Sequence, residues 1–170
     1  MNPYITLAKN AIEKYVTSGE ILTLPDGLPS EFYEKRAGVF ITLKKSGELR
    51  ACIGTAYPVK NNLAGEIVTN AIAAATEDRR FGPIEESELP ELSYQVSILG
   101  NPEVIKGLED LDPKKYGIMV KGVFGKSALL LPDLDGIDTI DEQIDAVCAK
   151  AGIDRMEGDY SIYSFDVEKY

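Results

Sequence analysis

The chain has no histidine, no tryptophan and only two cysteines among its 170 residues, and each shortage removes a class of chemistry. Histidine is the commonest general base near neutral pH and the commonest metal ligand. Its absence excludes Ser-His-Asp and Cys-His nucleophile systems and most zinc and non-haem iron sites. Two isolated thiols, Cys52 and Cys148, cannot hold a structural zinc or an iron–sulfur cluster within one chain, so no metal and no cofactor is expected. They offer no disulfide framework either, and a reducing cytoplasm keeps both free. No apolar run approaches the ~18 residues of a membrane span, and Met1-Asn2-Pro3-Tyr4 lacks the basic-then-apolar pattern of a signal peptide. The expectation is a cytoplasmic protein without a membrane partner. Positive charge is also scarce, with 18 Lys and Arg against 28 Asp and Glu for a net charge of −10. That balance repels nucleic acid, and Arg79-Arg80, even joined by Arg50, makes too small a basic footprint to reverse it.

What is present suits one folded domain over residues 1–170. The chain is 44% hydrophobic and 27% charged, ordinary for a globular protein and enough to bury a sizeable core. Asn2 and Pro3 open a helix closed by Gly19, with apolar residues at helical spacing through Ile5, Ala8, Ile12 and Val16. The segment 22–30 is irregular, held down by Leu22, Leu24 and Leu28. Val39, Ile41 and Leu43 mark an interior strand, and Lys45-Ser46-Gly47 turns it into a hairpin. Asn61 or Asn62 caps an alanine-rich helix over 63–75 that packs closely on a sheet. Glu85, Glu86, Glu88 and Glu91 read as a solvated connector. Further strands fall around Tyr94–Leu99, 117–121 and 126–131, the latter two forming a hairpin about Gly122 and Gly125. Thr139 with Glu142 is a capping box for a helix ended by Gly152, in which Cys148 is a core residue. Residues 160–167 alternate as one closing strand. Strands joined mostly by hairpins and broken by about three helices give an α+β class with mostly antiparallel sheet.

The second arm of the first hairpin, Leu49-Arg50-Ala51-Cys52-Ile53-Gly54-Thr55, carries the chemistry. Strand alternation puts Arg50, Cys52 and Gly54 on one face and sends Leu49 and Ile53 into the core. A guanidinium beside the thiol favours the reactive thiolate. Gly54 permits close approach of a ligand to the backbone, and Thr55 adds a hydroxyl. Asp78 or Arg80, from the charged segment that follows the alanine-rich helix, borders this site or simply pairs on the surface. The candidate catalytic residues are Cys52, Arg50 and Asp78, and the candidate ligand-binding residues are Gly54, Thr55 and Arg80. Against them stands the commoner fate of a lone cysteine, a small hydrophobe in the core.

That stretch resembles the signature of the AMMECR-type domain. The likeness continues through Glu77-Asp78-Arg79-Arg80-Phe81-Gly82-Pro83, Glu88-Leu89-Pro90-Glu91-Leu92, Val96-Ser97-Ile98-Leu99 and Leu129-Leu130-Leu131-Pro132. The run Asp133-Leu134-Asp135-Gly136-Ile137-Asp138-Thr139 is similar to the stand-alone prokaryotic branch, the AmmeMemoRadiSam system. Members of that branch are encoded beside a Memo-like protein and a radical S-adenosylmethionine protein. The resemblance implies two unequal lobes, with the signature strand facing a cleft between them, and those two proteins as partners. It brings no established reaction. The family usually has glycine at Ala51, whose methyl would crowd a ligand lying against the backbone. Two functions follow as expectations: substrate modification through a Cys52-centred cleft, or a non-catalytic binding or adaptor module for a peptide or small anion.

Overall fold

A computed structural model describes residues 2–156 and 158–170. The chain divides into two compact units: one runs to Leu99 and takes back Glu168–Tyr170, and the other is Gly100–Val167.

In the first unit, helix α1 (Pro3–Ser18) starts where the Asn2 side chain accepts the Tyr4 N–H and stops at Gly19 in the left-handed region, φ 72°. Those are the cap and the glycine stop that the sequence carries. A four-residue helix, α2 (Glu31–Glu34), follows the irregular segment and buries Phe32. Strands β1 (Gly38–Lys45) and β2 (Glu48–Thr55) form the expected hairpin. Ser46 and Gly47 both have positive φ, the backbone twist that matches two-residue hairpin turns. Helix α3 (Leu63–Thr76) is capped by Asn62. Strand β3 (Leu92–Leu99) pairs with β1, which makes β1 interior and leaves β2 at an edge; the sheet order is β2-β1-β3-β8, β8 being Val167–Lys169. Val39, Ile41, Leu43, Val96 and Ile98 face α1 and α3 across one core. The alanines of α3 let that helix come close to the sheet.

The second unit has its own sheet, in the order β4-β7-β5-β6. Its strands are β4 (Glu103–Val104), β5 (Gly117–Gly122), β6 (Ser127–Leu130) and β7 (Tyr160–Phe165). Helix α4 (Ile140–Ala151) carries the Thr139–Glu142 capping box and packs Ile144, Val147 and Cys148 against Ile118 and Val120.

Three expectations are corrected. Residues 160–167 are not one strand: the chain breaks at Asp166, and β7 and β8 join different sheets. The acidic segment 85–91 is a solvated connector only in part: Glu85, Glu86 and Glu91 are exposed, but the segment is ordered and Glu88 is covered. Glu86–Glu91 is a 3-10 helix with a capping box between Glu85 and Glu88, and the Glu88 side chain is only 13% exposed. Leu49 does not enter the core but is 41% exposed. The cause is a β-bulge: Leu43 pairs with Ala51 while Lys44 pairs with Leu49, so Arg50 is the extra residue. Without the bulge, a two-residue turn would pair Arg50 with Leu43 and direct a guanidinium into the apolar core. The bulge turns Arg50 out and restores alternation beyond it.

Candidate functional site

The bulge decides what Cys52 faces. Past it, Thr42 lies opposite Cys52, and cross-strand partners share a face of the sheet. The Cys52 Sγ stands 3.3 Å from the Thr42 Oγ1, on the side away from α1 and α3, with the residue half-buried. Ala51 points the other way and is fully buried beside Leu43. Its methyl therefore fills core and does not crowd the thiol's face.

Cys52 lies on an edge strand, and its backbone groups would otherwise need solvent or another strand. Two side chains take their place. The Cys52 N–H donates to Asp78 Oδ2 at 2.9 Å, and Arg80 Nη2 donates to the Cys52 carbonyl at 3.4 Å. Asp78 and Arg80 are themselves joined as a fork, with Nε to Oδ1 at 3.0 Å and Nη2 to Oδ2 at 2.8 Å. Asp78 is 4% exposed. Its pKa falls from 3.8 to about 2, chiefly because Arg80 holds the charged form, with the Cys52 and Arg80 amides adding to the effect against the cost of burial. A carboxyl held that low is a fixed anion at neutral pH and a poor carrier of protons.

Arg50 does not turn its guanidinium to the thiol. It forks onto Glu88, Nε to Oε1 at 2.9 Å and Nη2 to Oε2 at 2.8 Å. Its remaining donors reach the carbonyls of Gly82 and Pro83 at 3.1 and 3.0 Å. Glu88 drops to about 2, mainly through Arg50, and also accepts from Lys45. Arg80 lies near enough to Cys52 for a thiolate to raise its own pKa, though its Asp78 bond contributes most. The cation bonded to the Cys52 main chain is Arg80, while Arg50 is bonded to Glu88.

Gly54 serves its own fold. A Cβ there would lie 2.3 Å from the Val39 carbonyl oxygen and 2.4 Å from the Phe40 ring, so glycine is needed to seat Phe40 across the hairpin. Thr55 donates to Glu66 Oε1 and accepts from Asn70 Nδ2 at 3.2 Å. Glu66 is fully buried, and its other oxygen accepts the N–H groups of Val59 and Lys60 at 2.9 and 2.7 Å. This network ties the segment between β2 and α3 to the first turn of the helix, where a carboxylate also suits the helix dipole.

The sequence reading thus named Arg50, Cys52, Asp78 and Arg80, and the fold gathers them at one strand edge, with Arg50 and Asp78 engaged in ion pairs. It missed Thr42, Glu88, Glu66 and Asn70. The hairpin turn was a usable signal for Thr42, but a strict count from Ser46-Gly47 pairs Thr42 with Ala51, and only the bulge moves it to Cys52. Nothing in the sequence marks Glu66 as buried or Glu88 as mostly covered. Among the described residues no helix is long and apolar enough to cross a membrane, and no group of three or more Cys, Asp or Glu side chains is placed to hold a metal ion.

Comparison with known proteins fixes the lineage. A protein of Thermotoga maritima is 47% identical over 99% of this chain and 97% of its own length. A protein of Clostridium acetobutylicum is 43% identical over 99% of this chain, which spans 36% of that longer protein. The crystal structure of an uncharacterized protein from Pyrococcus horikoshii superposes with a TM-score of 0.88 at 31% identity, covering 98% of this chain and 88% of that one. The AMMECR1 family model matches residues 5–170, and the chain belongs to the AMMECR1 family.

Proposed function

We propose that this chain is the substrate-holding member of a cytoplasmic modification system with Memo-like and radical S-adenosylmethionine partners, and that Cys52 is its nucleophile. The observation that carries the reading is the double clamp on Cys52. Its N–H and C=O are both held by side chains of one ion pair, which supports a preorganised nucleophile by holding the main chain that carries the thiol. In the covalent step the thiol loses its proton to solvent, sulfur bonds to an electrophilic carbon, and the leaving group departs with the electron pair of the broken bond. Arg80 stands by the thiolate, Thr42 offers it a hydroxyl, and Asp78 positions rather than transfers protons. Two free cysteines suit a reducing compartment.

A second reading, a non-catalytic adaptor for a peptide or small anion, draws on a different fact: Arg50 and Asp78 are both committed to ion pairs, so neither is free to act on the thiol. Alkylation with iodoacetamide against pH, with Cys52 and Cys148 followed separately by peptide mass, decides between the two. Cys52 reacting in the folded protein with an apparent pKa well below the free-thiol value of about 8.5 supports the nucleophile, as does loss of function with intact folding in Cys52→Ala. A Cys52 inert until unfolding, with Cys52→Ser binding its partners normally, establishes the adaptor.

A further inference from the structure

The second unit holds a cavity of about 280 Å³ lined by Asn101, Glu103, Tyr116, Ser164, Phe165 and Asp166, with Gly100 at its margin. It lies where β4 runs beside the end of β7 and where the chain breaks at Asp166. Its floor is rigid. The Phe165 ring lies over Gly117, where a Cβ would come within 2.3 Å of it, and the Gly100 N–H donates to the Asp166 carbonyl at 2.8 Å. Behind Tyr116, the buried Gln143 donates from Nε2 to the Tyr116 carbonyl at 3.0 Å and leaves its Oε1 without a partner.

Among the described residues no hydrogen bond or ion pair engages the side chains of Asn101, Glu103, Ser164 or Asp166. Two are carboxylates and two can accept hydrogen bonds, while the lining contains no lysine or arginine. A cation already lies beside the Tyr116 ring. Lys115 sets its Nζ 4.8 Å from the centre of the Tyr116 ring, and its pKa is raised first by Tyr116 and further by the charges of Asp112 and Asp166. One ammonium on an aromatic face beside Asp166 leaves Glu103, Asn101 and Ser164 without a counterpart.

We propose that this cavity binds an alkylammonium group, carried on a slender chain that lies against Tyr116 while its charged end rests between Glu103 and Asp166. Carboxylates give the charge, the Asn101 carbonyl and Ser164 hydroxyl accept its N–H groups, and the half-buried Tyr116 ring takes the methylenes. The ammonium can come from a free small amine or from a lysine side chain of a partner protein. The site shares no residue with the Cys52 region, so it stands or falls apart from the reading given for that thiol.

The test is an amide NMR titration of the full chain at low ionic strength with 1,5-diaminopentane and, separately, with Nα-acetyl-lysine methylamide. The expected result is saturable shifts at the amides of Gly100, Ser164 and Asp166. Affinity should fall about fivefold or more in Glu103→Gln with Asp166→Asn and in Asp166→Asn alone, while Asp26→Asn, an exposed carboxylate elsewhere, changes nothing. Response to both probes assigns the site to lysine side chains as well as free amines, and response to the diamine alone assigns it to small amines. Either outcome supports the proposal. Shifts that do not saturate, that spread evenly over the acidic surface, or that persist unchanged in both variants overturn it.

Discussion

Around Cys52 the chain satisfies its own charges: Arg50 with Glu88, Arg80 with Asp78, and Glu66 with Thr55, Asn70 and two backbone amides. Around the cavity of the second unit it does not, and Glu103 and Asp166 face open space with no bonded partner among the described residues. The two regions are comparably polar and differ in what the polarity does. A charge already held by a fork and by backbone groups stabilises and positions. It is slow to give way to a ligand, because a newcomer must first replace hydrogen bonds worth about 1–3 kcal/mol each. An unpaired exposed carboxylate contributes little to stability and is free to bind. In the function proposed above, chemistry at the first region rests on the thiol, not on the charges that hold its main chain.

The largest effect should come from Glu66. Replacing it by alanine removes a fully buried carboxylate and leaves the Val59 and Lys60 amides and the Thr55 hydroxyl without their acceptor. We expect a loss of about 3–5 kcal/mol in urea unfolding. A loss below about 1 kcal/mol would show that water replaces the carboxylate easily and that this network is not structural.

Acid should expose the same difference. Asp78 and Glu88 both titrate near 2 in the folded chain, against ordinary values of 3.8 and 4.5. Because folding lowers these pKa values, the stability they contribute is complete above the unfolded values and is lost as pH falls from about 4.5 towards 2. For side chains this well covered, 3% and 13% exposed, the shifts amount to about 2–3 kcal/mol each. Urea midpoints measured across that window should fall steeply in the parent chain and less in Asp78→Asn or Glu88→Gln. Parallel profiles would mean that the forks are weaker than their geometry indicates.

The Arg50–Glu88 fork allows a finer measurement. Each alanine substitution strands the partner in a mostly covered position, and the double variant strands neither. A double-mutant cycle should give a coupling of about 1–3 kcal/mol, and a value near zero would place the pair among surface bridges.

How much of this was legible follows from the range of each interaction. Asn2, Gly19, Asn62, Ser46-Gly47 and the Thr139–Glu142 box are local signals, and each lies where the sequence places it. The α+β class and the hairpin bearing Cys52 followed from them. Glu88 lies 38 residues from Arg50 and Asp78 lies 26 from Cys52, so only the fold can say that an acidic segment is an ion-pair partner rather than a solvated face. The bulge at Arg50 is a compromise between turn register and core composition, and it becomes visible only when both are known. The break at Asp166 stayed hidden because residues on either side of it share the alternation of one strand.

The smallest expected effect is the most discriminating. If Glu103 and Asp166 are as uncommitted as the geometry indicates, Glu103→Gln and Asp166→Asn should each change the free energy of unfolding by no more than about 0.5 kcal/mol, while Asp78→Asn costs about 2 kcal/mol. Asp78 and Asp166 are both aspartates just beyond the end of a regular element, so local sequence does not separate them. What does is the guanidinium and the backbone amide that Asp78 holds and Asp166 lacks. A drop of more than about 1 kcal/mol for Asp166→Asn in urea unfolding would mean that this carboxylate has a structural partner after all, and the contrast between the two regions would close.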